Sequence, residues 1–170
     1  MSDPEVWLRG ALPDVPPLLQ PVAHSLLQCG EEVRVSLRDL TPAQLWATPG
    51  NAASIGYHAR HAAGSLDRLL TYARGESLSA AQREVLANEG VSDLDDGAAA
   101  RLTEAFDRAI ERALEQVRAT QERTLLEPRG VGRVQLPSTV IGLLFHAAEH
   151  TQRHAGQLVT TAKIVRGLAL

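Results

Sequence analysis

The sequence has one cysteine, one lysine, few aromatic residues and no long apolar run. Cys29 is alone among 170 residues, so no internal disulfide can form, which fits a reducing compartment. Lys163 is the only lysine, and the formal net charge is −3. Without a basic block, nothing favours a nucleic-acid partner.

Membrane and export signals are also missing from the sequence. No apolar run reaches the ~18–20 residues that cross a bilayer. The start, Met1-Ser-Asp-Pro-Glu5, lacks the basic and apolar regions of a signal peptide. We therefore expect a soluble, cytoplasmic protein without a membrane partner.

The helical periodicity of the apolar residues predicts the fold class. At 170 residues and 18.3 kDa, the chain is expected to form a single domain spanning residues 1–170. No segment alternates at period two long enough to predict a sheet. Four long patterns predict helices at about 18–40, from Ser54 to Tyr72 or Arg74, at about 98–124, and from a cap at Ser138 to about Arg166. The prediction is an all-α four-helix bundle.

The connections between these helices indicate the topology. Shorter helical pieces are predicted at 43–46 and about 80–88. The connection at 76–97 is long enough to carry the chain back, so that the second and third helices run parallel. Residues 127–137 contain prolines and glycines that end the third helix, and Gly130-Val-Gly132 does not form a phosphate loop.

Three of the six histidines lie four residues apart on the last helix. They are His146, His150 and His154. In a helix that spacing turns the chain about 400°, so adjacent members share a face. His146 and His154 are about 12 Å apart along the axis, too far for one metal ion. Two pairs therefore remain as candidates, 146/150 and 150/154.

A third metal ligand is sought on a facing helix. The second helix contains His58 and His61, and the first contains His24. His58 is nearer the centre of the apolar stripe, so periodicity slightly favours it. His61 lies on the flank that also contains Ser65.

Two stretches resemble the DinB/YfiT-like superfamily. One is Ser54-Ile-Gly-Tyr-His-Ala-Arg-His61-Ala-Ala-Gly-Ser65, and the other is His150-Thr-Gln-Arg-His154-Ala-Gly-Gln157. Members have one histidine about seven residues after the serine or threonine that opens helix two. They have two more, four apart, on helix four. Mapped onto this chain, the resemblance implies His61, His150 and His154 as metal ligands.

The resemblance also implies an overall topology, a metal and an activity. It implies an up-down-down-up bundle with a divalent metal, most often zinc or nickel, and a homodimer. Characterised relatives include S-transferases and isomerases that use low-molecular-weight thiols. Trp7 and Leu8 are candidates for a contact with the second subunit.

Three neutral histidines leave a metal ion with its charge and an open position, which is typical of catalytic sites. The expected function is transfer of a low-molecular-weight thiol to an electrophile. The alternatives are a metal-dependent hydrolase and a non-catalytic, metal-stabilised binding or stress-response module. Glu149 and Asp67 are candidate general bases, although Glu149 is equally expected to be a surface residue or to bond a ligand imidazole. Cys29 is expected to be a buried structural thiol.

Overall fold

Helices form most of the structure. The computed structural model describes residues 4–168, and these contain six α-helices and one β-hairpin. The helices are α1 (Gln20–Leu37), α2 (Pro42–Trp46), α3 (Ile55–Ala73), α4 (Ala80–Ala87), α5 (Ala98–Ala119) and α6 (Val140–Arg166). The strands are β1 (Pro128–Val131) and β2 (Leu136–Thr139). The mostly helical class is the predicted one.

The four long helices, α1, α3, α5 and α6, enclose one apolar core. Helix α3 packs against α5 and α6, and α1 packs against the same two helices. The predicted stripes face this core: Leu26 and Val33 of α1, Leu66 of α3 and Phe106 of α5 are buried. Their burial supplies the main stabilisation of the bundle, because apolar side chains contribute about 1.5–3 kcal/mol each when fully buried.

Side-chain caps open the two helices that contain the clustered histidines. Ser54 accepts a hydrogen bond from the backbone N–H of Tyr57, and so caps α3 as predicted. The cap of α6 is Thr139, whose hydroxyl accepts from the N–H of Gly142. The prediction of Ser138 as this cap was wrong by one residue, because Thr139 is the residue whose extended backbone precedes the helix.

The third long helix ends earlier than expected. Helix α5 stops at Ala119, whereas the apolar pattern predicted its end near Thr124. Thr120 has an extended backbone, and residues 122–124 form a separate 3-10 turn. Leu125, just after this turn, is also buried. It therefore extends the apolar periodicity of α5 beyond the end of the helix.

A small antiparallel hairpin corrects the expectation that the chain has no sheet. Strand β1 pairs with β2 in the register Pro128 to Thr139 and Val131 to Leu136. Each strand has four residues, which is too short for a period-two pattern to stand out. The turn begins at Gly132, whose φ of 70° favours glycine. Arg129 donates to the carbonyl of Ala73 and so ties the hairpin to the end of α3.

The connection between α3 and α5 lies mostly at the surface. Helix α4 has no buried residue. The chain then returns to the bundle at Glu89, which is 4% exposed. Arg60 of α3 donates to the carbonyl oxygens of Asn88 and Val91, which holds this return against the bundle.

No helix within residues 4–168 combines the length and the apolar character that crossing a membrane requires.

Candidate metal centre

Three histidines from two helices meet between α3 and α6. One nitrogen each from His61, His150 and His154 lies within 4.8 Å of the others. Nε2 of His61 and Nε2 of His150 are 3.1 Å apart. Two nitrogens on one zinc ion, with bonds of about 2.0–2.1 Å, lie at most about 4.2 Å apart, so this pair fits one ion directly. The set is the one that the family resemblance implied.

His58 lies beside this cluster rather than within it. Its side chain is 5% exposed, and its Nδ1 lies 3.0 Å from Nδ1 of His154. One of these two nitrogens donates to the other, so His58 helps to fix the ring of His154. His58 faces inward, as its place in the apolar stripe indicated. The histidine of α3 whose nitrogen joins those of His150 and His154 is His61, however.

A buried carboxylate holds His61 from the opposite side. Nδ1 of His61 donates to Glu89 at 2.7 Å, and Nη1 of Arg68 donates to the other oxygen of Glu89 at 2.7 Å. A carboxylate only accepts, so the proton of His61 is on Nδ1 and the lone pair is on Nε2. That lone pair faces His150. Tyr57 stacks on the His61 ring with centroids 5.4 Å apart and fixes its plane.

The pKa values of His150 and His154 are lowered, which favours the neutral form that metal-binding imidazoles need. Burial, then the neighbouring charges of His61, His150, His58 and Arg153, lowers the pKa of His154 to about 4. Burial first, and nearby positive charge second, also lowers the pKa of His150 and of His58. The lone pairs are therefore available without competition from protons.

The residues present fit a divalent metal. Nδ1 of His150 is buried and has no hydrogen-bond partner among the described residues. The two nitrogens of an imidazole point in different directions, so an ion on the Nε2 that faces His61 does not satisfy this Nδ1. The fit to a metal rests instead on the three nitrogens that lie within 4.8 Å of one another. Three imidazoles with no carboxylate ligand suit zinc, nickel or copper better than calcium or magnesium.

His146 and Glu149 form a pair at the edge of the cluster. Nδ1 of His146 donates to Glu149 at 2.6 Å, and the His146 ring lies 5.4 Å from that of His150. Arg153 also donates to Glu149, and its hydrogen bond is the main cause that lowers the pKa of Glu149. Glu149 therefore bonds His146 and not one of the three clustered imidazoles. This pair was not predicted from the sequence, although the (i, i+3) spacing of His146 and Glu149 was a signal for it.

The remaining candidates from the sequence lie elsewhere. His24 is bonded to the carbonyl of Gly10, and Asp67 accepts from Gln82. Cys29 is fully buried, and burial together with the charge of Glu32 raises the pKa of its thiol to about 12. Cys29 is therefore a structural thiol, as predicted.

A cavity of about 560 Å³ lies beside His58, and none of the three clustered histidines is among its lining residues. Its wall includes His58, Arg153 and Gln157. Small-molecule sites commonly have volumes of about 300–1,000 Å³, so this space is large enough for a small substrate.

Fold and site together define a class of protein: a helical bundle with three histidines clustered between two of its helices. The family model described as the DinB superfamily matches residues 25–158. The chain belongs to the DinB superfamily. The matched range includes all three clustered histidines and Glu89. A search of curated proteins finds no match for the chain.

Proposed function

We propose that this protein is a divalent-metal-dependent enzyme that transfers a low-molecular-weight thiol to an electrophile. The observation that carries the proposal is the cluster of His61, His150 and His154, whose ligand atoms lie within 4.8 Å of one another. The metal is zinc or nickel in this proposal. Bound to neutral imidazoles, such an ion keeps its Lewis acidity and favours the thiolate form of a thiol.

The residues around the cluster have separate roles in the proposed reaction. Glu89 and Tyr57 orient His61, and His58 orients His154. His146 donates from Nδ1 to Glu149, which leaves its Nε2 free to accept the thiol proton. The new bond joins sulfur to the electrophilic carbon, and the leaving group departs with its electron pair.

The His146–Glu149 pair also favours a second candidate, a metal-dependent hydrolase. Hydrolysis needs a group that takes a proton from water and returns it to the leaving group. A histidine oriented by a carboxylate can do both. Its ring lies 5.4 Å from that of His150, which places it beside the cluster.

The test is an assay of the metal-loaded protein with both substrate types. We expect conjugation of glutathione, bacillithiol or mycothiol to a reactive alkyl halide, lost in His150→Ala and retained in Cys29→Ser. His146→Gln should lower the rate and leave the metal content unchanged. Cleavage of model esters without thiol conjugation would replace the proposal with the hydrolase. If the protein shows neither activity but is still stabilised by the metal, the non-catalytic, metal-stabilised module is favoured.

Two further proposals concern the whole chain. We propose an up-down-down-up bundle, supported by contacts between helices. Ser25 bonds Gln152 and Arg166 bonds the carbonyl of Arg38, an order that supports parallel α1 and α6. His58 pairs with His154 and His61 with His150, the reverse order, which supports antiparallel α3 and α6.

We also propose a homodimer, supported by the exposed apolar residues Trp7, Leu8 and Leu18.

A further inference from the structure

Glu89 is a buried acidic residue in an otherwise exposed segment. Asn88 and Gly90 on either side are exposed, whereas Glu89 is only 4% exposed. A buried carboxylate destabilises the folded protein unless charged or hydrogen-bonding partners compensate for the lost water. Its presence therefore needs an explanation from its contacts.

Both oxygens of Glu89 are used. One accepts from Nδ1 of His61 and the other from Nη1 of Arg68, each at 2.7 Å. Arg68 is itself 8% exposed, so its charge neutralises the carboxylate inside the protein. The ring of His61 is thereby connected, through Glu89, to the buried Arg68, which lies seven residues, or about two turns, further along α3.

Gly64 leaves the space in which this carboxylate sits. A Cβ atom at position 64 would lie 2.7 Å from Oε1 of Glu89 and 2.8 Å from Nη1 of Arg68. Real Cβ contacts are not this short, so any larger side chain would displace one of these groups. A glycine inside a helix is unfavourable relative to alanine, and here it permits the close approach of Glu89.

The segment around Glu89 is held to the bundle at three further points. Arg60 donates to the carbonyls of Asn88 and Val91, and Nε1 of Trp46 donates to the carbonyl of Asp93 at 2.7 Å. The guanidinium of Arg60 also lies 4.8 Å from the centre of the Trp46 ring. The position of Glu89 is thus fixed by backbone contacts that do not involve the metal cluster.

We propose that Glu89 is a positioning residue of the metal centre, and that Gly64 leaves the room in which its carboxylate lies. Glu89 holds His61 in one tautomer and one ring orientation, with the lone pair of Nε2 facing His150. Carboxylates that bond a ligand histidine typically contribute about 10–100-fold to metal affinity. This inference rests on the proposed metal-dependent function, and it assigns a metal-centre role to the connection between α4 and α5.

The first test compares Gly64→Ala with Gly156→Ala. Both replace a helical glycine with alanine, which favours the helix. A Cβ at position 156 meets nothing within 4 Å, although Gly156 lies only two residues from His154. We expect zinc and cobalt to bind Gly64→Ala about tenfold more weakly than wild type, and Gly156→Ala to bind as wild type does.

The second test compares Glu89→Gln with Glu31→Gln. Like Glu89, Glu31 accepts a hydrogen bond on each carboxylate oxygen, but both donors belong to Arg9 and neither is a histidine. We expect Glu89→Gln to lower zinc affinity about 10–100-fold and to change the visible absorption of bound cobalt. Glu31→Gln should leave the affinity and the spectrum unchanged. Circular dichroism of each metal-free variant establishes that it is folded.

The outcomes separate this inference from the proposed function. If the wild-type protein binds metal and both Gly64→Ala and Glu89→Gln bind it with the same affinity, the role of Glu89 is overturned and the proposed function stands. Equal weakening in Gly156→Ala would also overturn it, because the effect would then be general to the helices. Absence of metal binding by the wild-type protein would overturn the proposed function and this inference with it.

Discussion

The rings of His61, His150 and His154 differ in what holds them. His61 is bonded to Glu89 and His154 to His58, whereas Nδ1 of His150 has no partner among the described residues. Nε2 of His150 lies 3.1 Å from Nε2 of His61, and its ring centroid lies 4.6 Å from that of His154. A bound ion would therefore stabilise His150 most, since its ring has the least support from the protein.

Alanine substitution of each clustered histidine should remove most of the bound metal. We expect this result for His61→Ala, His150→Ala and His154→Ala, because each removes one of three nitrogens that lie within 4.8 Å of one another. Elemental analysis of the purified variants measures it.

The matched control for this series is His24→Ala. His24 lies on α1, outside the cluster between α3 and α6, and is bonded to the carbonyl of Gly10, so its variant should keep full metal stoichiometry. If His61→Ala kept its metal and His58→Ala lost it, His58 would be the third ligand instead.

The half-buried His154 should make the metal-free protein less stable in acid. Burial lowers the pKa of His154 from 6.5 to about 4 in the folded state, so the unfolded state binds more protons between these values. Stability is therefore fully present above about pH 6.5 and is lost as the pH falls towards 4. Allowing for solvent screening, the loss is on the order of 1–3 kcal/mol.

Urea unfolding of metal-free protein between pH 7.5 and 4.5 measures this loss. His154→Gln removes the titrating group with the largest lowering of pKa and should have a shallower dependence on pH. Parallel curves for wild type and His154→Gln would show that other groups cause the acid sensitivity.

At the scale of the elements, the two helices that bring the histidines together begin with side-chain caps. Ser54 caps α3 four residues before His58, and Thr139 caps α6 seven residues before His146. The hairpin of β1 and β2 leads directly into α6, since Thr139 is both the last residue of β2 and the cap. The hairpin thus fixes where α6 starts.

Thr139→Ala should destabilise the protein by about 1 kcal/mol, because it leaves the N–H of Gly142 without its side-chain acceptor. Ser138→Ala should change the free energy of unfolding far less, since the Ser138 hydroxyl has only a long, 3.5 Å contact with the carbonyl of Thr139. Chemical denaturation measures both. A larger loss in Ser138→Ala than in Thr139→Ala would contradict the assignment of the cap.

At the scale of the whole molecule, exposed apolar residues lie near the N-terminal end of the described chain. Trp7 is 61% exposed and Leu18 is 64% exposed. Large apolar side chains that remain in water often mark contact surfaces. They are the basis of the proposed homodimer.

Light scattering should give twice the chain mass of 18.3 kDa at tens of micromolar. Trp7→Asp should shift the mass towards the monomer, because a charge in an apolar interface is costly. Val134→Asp, at an exposed valine in the hairpin turn, is the control and should remain dimeric. A monomer mass for the wild-type protein would exclude the dimer.

The sequence by itself determined the long helices and the inward face of each. Spacings of three and four place Leu26, Val33 and Leu66 on buried stripes, because the period of a helix is a local property of the chain. The same local rule put His150 and His154 on one face of α6. The family resemblance then added His61, which lies 89 residues from His150 in the chain.

The tertiary structure decided which distant groups share the site. Periodicity placed His58 inward, yet the packing of α3 on α6 put His61 beside His150 and left His58 against His154. Glu89 carried no sequence signal, because its burial depends on a connection folding back over α3 into the space at Gly64. Helical period is encoded within a few residues, whereas contacts across 28 or more residues depend on how the helices pack, and so only the folded chain shows them.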